Sequence, residues 1–431
     1  MKKHTEISEG PNMKTAIIVC MLAAGLAMAS AAWATDSKYQ SYIVGDRAAG
    51  MGGAMVSIAD SVDACYYNPA GLTQVKSSTV SLSANLYGWQ LYHIENGLFP
   101  GENVQGNSFV TIPSTMGGIL KYSPELSLAF SVLVPDRSTY NEIVAYSASQ
   151  HLYQFNMDDQ TIWVGPSAAY QISPALSVGV SLFGVYRSYN EYVSLFYEDY
   201  DASYAQGRKF NDIALAAILG MQYRPGRDWN IGLTLQPPTA HLFDSGKTMV
   251  HVLGRNILSN NYYYTEDVST DNQLPTKIAA GIGRQVQGEY AFGLDLTYHL
   301  PTSYNLQQWQ ALGEENYARV VRAPVLDLNL GGEYYVRKIY PVRAGFFTGF
   351  SSVPEVDENQ SYASSNIDTY GLTLSVGREV KSVALNVGIN YIFGRGYDLG
   401  YELNSRNEPV QTVVSAWEQQ ILFTVNTSYY F

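Results

Sequence analysis

The last strand-like stretch of this chain constrains its fold more than any other feature. From Ile421 onward every second residue is apolar or aromatic (Ile421, Phe423, Val425, Tyr429 and Phe431), with Thr427 the one exception. The positions between carry Gln420, Thr424, Asn426 and Ser428. A period of two marks a strand with one face in an apolar medium and the other in a polar one. Soluble sandwich strands alternate too, but they rarely stop on an aromatic with no polar tail. The closing strand of a bacterial outer-membrane barrel does both, because closure consumes the last strand and leaves no edge.

The opposite end agrees with export. Lys14 precedes an apolar run from Ala16 to Ala29, followed by Ala32-Trp33-Ala34. This is the order of charged region, apolar region and small-residue cleavage site found in a signal peptide. Residues 1–34 are therefore expected to be removed, with 1–12 an upstream extension and Met13 the start. The run is shorter than the ~20 residues a spanning helix needs, and Cys20 lies too early in it to be a lipoprotein cysteine. Cys65 is then the one cysteine left, so no internal disulfide is expected.

Composition fits a membrane barrel. Tyr, with 35 copies, outnumbers Phe at 15 and Trp at 6, and its apolar body and polar tip suit a membrane interface. Charged residues are 15%, low for a soluble chain, and the formal net charge of −12 argues against a nucleic-acid partner.

Tight turns fall at Ser123-Pro124-Glu125, Ser173-Pro174-Ala175, Pro225–Asp228, Gln285–Gly288, Arg337–Tyr340 and Glu379–Ser382. Longer polar segments fall near 94–110, 135–158, 194–209, 240–260, 303–318, 351–365 and 397–411. Six turns and seven long loops predict a fourteen-stranded antiparallel transmembrane barrel over residues 77–431, although Lys247–Leu253 could itself be strand. Individual strands carry the alternation. Tyr290, Phe292, Leu294, Leu296 and Tyr298 oppose Ala291, Gly293, Asp295, Thr297 and His299. Leu326, Leu328, Leu330 and Tyr334 oppose Asp327, Asn329, Gly331 and Glu333. The apolar set is predicted to face lipid and the polar set a lumen. A ring this wide is not filled by its own side chains. The small-residue segment 35–76, with a short helix near Asp60 or Ser61 and a turn at Asn68-Pro69, is predicted to plug it.

Two stretches carry a family resemblance. One runs from Arg47-Ala-Ala-Gly-Met-Gly-Gly-Ala to Tyr67-Asn68-Pro69-Ala70-Gly71-Leu72. The other is Tyr340-Pro-Val-Arg-Ala-Gly-Phe-Phe347 followed by Ser351-Ser352-Val353-Pro354. With the aromatic end they resemble the FadL/TodX-type outer-membrane transporters of long-chain fatty acids and aromatic hydrocarbons, over essentially all of 35–431. The resemblance implies that 35–76 is the family's hatch, with Gly50, Gly52, Gly53, Asn68, Pro69 and Ala70 its signature. It implies passive uptake of hydrophobic small molecules, captured on the outer loops and released sideways through a gap made by an inward kink in the third strand. Related barrels with this hatch pattern serve secretion systems, so a docking partner of secreted proteins is the alternative function. Outer-membrane lipid, lipopolysaccharide and the barrel-assembly machinery are the other expected partners.

Several residues are candidates within this scheme. Pro135, behind Leu126–Val134, removes a ladder donor and either opens the wall or only ends the strand. Gly117-Gly118 is a second weak point. Leu98, Phe99, Leu152, Phe155, Leu195 and Phe196 stand in otherwise polar loops and suit either ligand capture or loop packing. For a fatty carboxylate, Arg187, Lys277 and Arg343 are the lumen-facing cations; Arg343 neighbours Asp327 and Glu333 and also suits a structural ion pair, whereas Arg187 has no evident carboxylate nearby. Asn68, held extended by Pro69, is expected to satisfy hatch or wall backbone groups left open by the kink. No metal, cofactor or catalytic site is expected: the chain has no metal-ligand His spacing, no Gly-x-Ser-x-Gly elbow and no phosphate loop.

The terminal aromatic yields a direct test. Deleting Phe431, or replacing it with Asp, should lower the heat-modifiable folded fraction on a gel; unchanged folding would show the aromatic end to be incidental.

Overall fold

The alternation in sequence becomes a closed wall. The computed structural model describes residues 37–431 apart from 147–150, 198–201, 227, 255–260, 312–313, 359–364, 381 and 407–408. The expected signal peptide lies outside the described residues. Eighteen strands follow a short N-terminal segment: β1 (Thr79–Phe99), β2 (Glu102–Lys121), β3 (Leu126–Tyr146), β4 (His151–Ser173), β5 (Leu176–Tyr197), β6 (Ala202–Tyr223), β7 (Trp229–Gln236), β8 (Ala240–Gly254), β9 (Asn261–Thr270), β10 (Lys277–Val286), β11 (Tyr290–His299), β12 (Thr302–Ala311), β13 (Glu314–Arg322), β14 (Val325–Val336), β15 (Tyr340–Gly349), β16 (Asn366–Val380), β17 (Val383–Leu403) and β18 (Pro409–Tyr430). Fourteen of them form the ring, β1–β7, β10, β11 and β14–β18, every neighbour antiparallel, with β18 closing onto β1. The other four are two hairpins, β8–β9 and β12–β13, the first set on the wall through β6–β8 pairs and the second on the first through β9–β12 pairs. The predicted ring count holds. Among the described residues no helix is long and apolar enough to cross a membrane.

The outward side chains show where the lipid ends. On β6 the outer face runs Tyr223, Met221, Leu219, Leu215 and Ile213, all exposed, then changes to Asn211, Lys209 and Ser203. The apolar stretch matches the ~9–11 tilted residues that cross a bilayer. Tyr290, Tyr334, Tyr340 and Tyr429 near the turn end, and Tyr186, Tyr298 and Tyr370 at the opposite end, supply aromatic borders.

Much of what the sequence suggested as loop is strand. β1–β6, β17 and β18 run for 20 to 23 residues, about twice a membrane crossing, and continue through most of the polar segments predicted as loops. The reason is the change of outer solvent. Above Ile213 the outward residues meet water, so polar residues replace the apolar half of the alternation and the strand reads as loop. Much of the inward side stays apolar: Tyr153, Phe155, Met157, Tyr189, Val193, Leu195, Tyr204 and Phe210 form a buried cluster in this upper storey, interleaved with the buried pairs Arg187–Asp159 and Arg208–Glu191. It rises roughly 20 Å above the membrane, at ~3.3 Å per residue with the strands inclined.

Residues 37–78 lie within the ring. Helix α1 (Asp46–Gly50), helix α2 (Ala64–Tyr67) and a 3-10 turn (Pro69–Gln74) touch strands on opposite sides of the lumen, from β4–β6 to β15–β18. The segment needs so little room because the wall offers glycine where its backbone passes. A Cβ on Gly331 would stand 2.1 Å from the Met51 carbonyl oxygen, and one on Gly345 2.2 Å from the Gly52 nitrogen. On the other side of the lumen, Gly220 gives the same clearance to the Asn68 side chain and Gly232 to the Val56 carbonyl. Side chains of normal size there would lift the segment from the wall.

This seating predicts that Gly331→Val leaves the barrel heat-modifiable but unseats the segment. Sensitivity to a small polar antibiotic should then rise in cells with matched barrel levels; unchanged sensitivity would show that the close approach does not seal the pore.

Candidate functional site

The predicted hatch signature is distributed over several wall contacts. Gly52 and Gly53 have φ of 60° and 76°, a region that favours glycine. Gly50 lies against Ser375 and Arg343. Thr373 Oγ1 donates to the Gly50 carbonyl at 3.0 Å, and Asn329 Nδ2 donates to the Gly52 carbonyl at 2.7 Å. Asn68 is fully buried; its Nδ2 donates to the Val56 carbonyl at 2.7 Å and the Met221 carbonyl at 3.0 Å, and its Oδ1 accepts from the Ala70 nitrogen at 3.2 Å. Pro69 opens the 3-10 turn where its missing N–H is no loss. Asn68 thus ties the segment to itself at Val56 and to the wall at Met221 of β6.

A buried charge cluster holds the segment at its periplasmic end. Arg47 Nη2 lies 2.8 Å from Glu333 and its Nη1 2.7 Å from Asp60. Arg343 pairs with the same Glu333 and with Glu379, and its Nη1 donates to Asn386 at 2.8 Å. Glu333 therefore joins a plug arginine to a wall arginine. Breaking such a pair costs about 3–5 kcal/mol, because the partner charge stays buried. Arg343 takes the structural role weighed in sequence. Asp327, the other proposed partner, instead accepts from Thr348 Oγ1 and the Phe350 nitrogen, both at 3.0 Å.

The other two cations part ways. Arg187 is corrected: it is buried, with Nη2 2.6 Å and Nε 3.0 Å from Asp159, and Nη1 donating to Asn272 at 3.0 Å. Asp159 lies 28 residues away in sequence, and only the β4–β5 register brings the two together. Lys277 makes no ion pair among the described residues; its Nζ sits 4.8 Å over the Tyr66 ring. Next to it His299 stacks on Tyr39 at 4.2 Å.

Tyr66 and Tyr39, the ring partners of Lys277 and His299, help line a cavity of about 80 Å³ together with Pro135, Trp163, Leu274 and Tyr304 and the charged Lys38, Asp136 and Arg322. Pro135 stands at a break in the wall. The β2–β3 ladder runs from Lys121↔Ser127 to Thr115↔Leu133 and no farther, and the β3–β4 register shifts between Leu133 and Asp136. Pro135 does not end its strand, which continues to Tyr146. Gly117-Gly118 lies within the intact ladder. Tyr42, a residue the sequence did not single out, donates its hydroxyl to the Val134 carbonyl at 2.8 Å, directly at the break.

Of the capture candidates, Leu98, Phe155 and Leu195 are buried in the apolar upper storey. Phe99 packs edge-on to His151. Leu152 and Phe196 face outward at 43% and 44% exposure, so the six do not form one surface.

Above the lumen the N-terminal segment is tied down again. Lys38 bridges to Ser351 as an antiparallel strand pair, the Ser352 nitrogen donates to the Ser37 carbonyl at 2.6 Å, and Lys38 pairs with Glu418. Below it, Asp46 lines a periplasmic recess of about 650 Å³ and receives Asn386 Nδ2 on both oxygens, while Asp63 accepts from the Asp46 and Ala48 nitrogens at the start of α1. Burial pushes the Asp46 carboxyl up to about 7, against the pull of Arg343 and with a push from Asp63.

A raised carboxyl favours seating only while it stays protonated. Free in the unseated chain, Asp46 ionises near pH 4, but seated it ionises only near pH 7, so the seated state loses ground across that window as pH rises. Asp46→Asn should therefore seat the segment more firmly than the parent at pH 8 and equally at pH 4, read as protease nicking of residues 37–76 in the folded barrel. A difference that does not vary with pH would refute the assignment.

The comparisons bear on the whole chain. The family model "Outer membrane protein transport protein (OMPP1/FadL/TodX)" matches residues 25–431. A Pseudomonas aeruginosa FadL homologue matches at TM-score 0.66 with 11% identity, covering 91% of this chain and 100% of that one. The P. putida toluene transporter TodX matches at 0.66 with 12% identity over 91% and 99%, and the CymD monoaromatic hydrocarbon channel at 0.61 with 14% identity over 90% and 97%. No curated protein matches by sequence. At such identities the structures speak for the fold, while the model match over almost the full length decides membership: the chain belongs to the OMPP1/FadL/TodX family of outer-membrane transport proteins.

Proposed function

We propose that the protein carries hydrophobic compounds passively into the outer membrane. The observation that carries this reading is the wall break at Leu133–Asp136 beside an aromatic cavity. An apolar solute gains about 25 cal/mol for each Å² it withdraws from water. The buried aromatic and aliphatic side chains of the upper storey offer that gain outside the membrane. The cavity above α2 offers it next, among Tyr39, Tyr66 and Trp163. The floor below does not. Asp46, Arg47, Asp60, Glu333 and Arg343 line the recess on the periplasmic side, so an apolar solute meets fixed charge along the axis and an unpaired seam toward lipid. Sideways exit is favoured, and residues 35–76 act as the hatch that closes the axial route. Relatives named for toluene and for monoaromatic hydrocarbons are in keeping with such cargo.

A fatty carboxylate would need a cation, and among the described residues Lys277 is the candidate that makes no ion pair; its Nζ sits over the ring of Tyr66, which lines this cavity. Cells expressing the protein should take up both a labelled long-chain fatty acid and a neutral aromatic faster than cells without it. Lys277→Gln should slow the fatty acid by roughly tenfold, the worth of one charge-assisted hydrogen bond, and spare the aromatic. Equal slowing of both would remove Lys277 as a head-group partner; no uptake of either would end the transport reading.

A further inference from the structure

The seam between β2 and β3 has no backbone ladder at its upper end. Seven ladder pairs join the two strands, from Lys121↔Ser127 to Thr115↔Leu133. Above them β2 continues to Glu102 and β3 to Tyr146, each still paired on its far side, to β1 as far as Phe99↔Glu102 and to β4 as far as Tyr146↔His151. Among the described residues no ladder pair rejoins 102–114 to 134–146. The β4–β5 and β5–β6 ladders, by contrast, run to the tips of their hairpins. Seven pairs fall short of the ~9–11 residues of a membrane crossing, so the seam starts in the outer part of the hydrocarbon layer and runs up through the head-group zone.

Its lining changes along its height. At the foot stand Val110, Ile112, Leu133 and Val134, all buried apolar residues, beside Pro135, which offers no N–H. Higher up the edges are polar. Two side-chain contacts span the seam: the Asn107 nitrogen donates to Glu142 Oε1 at 2.6 Å, and the Tyr92 ring of β1, lying over Gly106, packs edge-on against Tyr140 at 5.0 Å. Asp136 and Arg137 follow Pro135, with Arg137 3.7 Å from Asp158 and Thr139 Oγ1 donating to the same carboxylate. The upper rim thus presents carboxylates in excess around one guanidinium, an arrangement that suits a zwitterionic head better than an anionic one.

We propose, on the basis of the uptake reading above, that this seam, held above its ladder by side-chain contacts alone, parts as a slot that passes single-chain amphiphiles with bulky zwitterionic head groups. A hole closed above by a ladder would limit the head to the size of the hole. A slot lets the chain slide through the apolar foot into lipid while the head stays at the polar level throughout. The head never crosses hydrocarbon, so its desolvation cost does not oppose transit.

The test closes the slot from above. Asn107→Cys with Glu142→Cys places two thiols across the seam, joined by oxidation or, where no disulfide forms, by a short bis-maleimide; Cys65 is buried and does not compete. Uptake is measured for a lysophosphatidylcholine with a fluorescent chain and for naphthalene, in cells with matched folded barrel. The unstapled protein should admit both faster than cells lacking it. The staple should reduce lysophosphatidylcholine to the level of those cells while naphthalene still enters, and reduction of a disulfide staple should restore the first rate. Entry of naphthalene but not lysophosphatidylcholine into unstapled cells would overturn the slot and leave the uptake reading standing. A staple that slows both probes alike, or neither, would also overturn it. Failure of both probes to enter unstapled cells would defeat the uptake reading itself.

Discussion

The width of the ring is the constraint on which the rest depends. Fourteen strands enclose more volume than inward side chains can fill, and an open lumen would be a water channel. The chain meets this by folding its own N-terminal segment inside. That choice sets the inner face of the wall. The inward positions of β6, β7, β14 and β15 carry glycine where the segment's backbone passes, at Gly220, Gly232, Gly331 and Gly345. Inward positions of β14, β15 and β16 carry Glu333, Asn329, Arg343 and Thr373 where its polar groups need partners.

The two stretches that resemble the family are two sides of one contact. Arg47 to Gly53 comes from the segment and Arg343 to Gly345 from the wall, and Glu333 links their arginines. Gly52 passes over Gly345. Ser351-Ser352, the later part of the second stretch, receives Lys38 and Ser37. Asn68-Pro69 sits on Gly179 and Gly220 across the lumen. Stretches separated by hundreds of residues therefore answer one requirement, a plug seated flat on its wall.

Legibility in the sequence followed the solvent. Where strands crossed lipid, as in 290–298 and 326–334, alternation gave the strand, its lumen face and the ring count. Where strands rose into water, the outward half of the pattern turned largely polar and strand looked like loop; β4 from His151 to Asp158 is an example. The site was legible where partners lay on adjacent strands joined by a tight turn, as with Arg343 and Glu333. Arg187 and Asp159 escaped because a hairpin of unforeseen length set their register. Tyr42 carried no signal at all: one tyrosine among 35, its role fixed only by where the ladder fails.

That failure ties the plug to the exit. A ladder that stops at Thr115↔Leu133 leaves backbone groups of β3 without a strand partner, and buried groups of that kind need one. The Val134 carbonyl finds it in the Tyr42 hydroxyl, which belongs to the N-terminal segment. The segment continues from there through Tyr39 and Ser41 along the cavity to Lys38, bound to Ser351 and Glu418. The same few residues thus line the cavity, satisfy the break and anchor above it. Under the proposed uptake, a solute in the cavity would press on Tyr39 and Ser41, next in the chain to Tyr42, whose hydroxyl holds the Val134 carbonyl where the wall has no ladder to replace it. On the uptake reading proposed above, one continuous stretch of chain is therefore what would couple cargo to exit, with no movement of the barrel itself required.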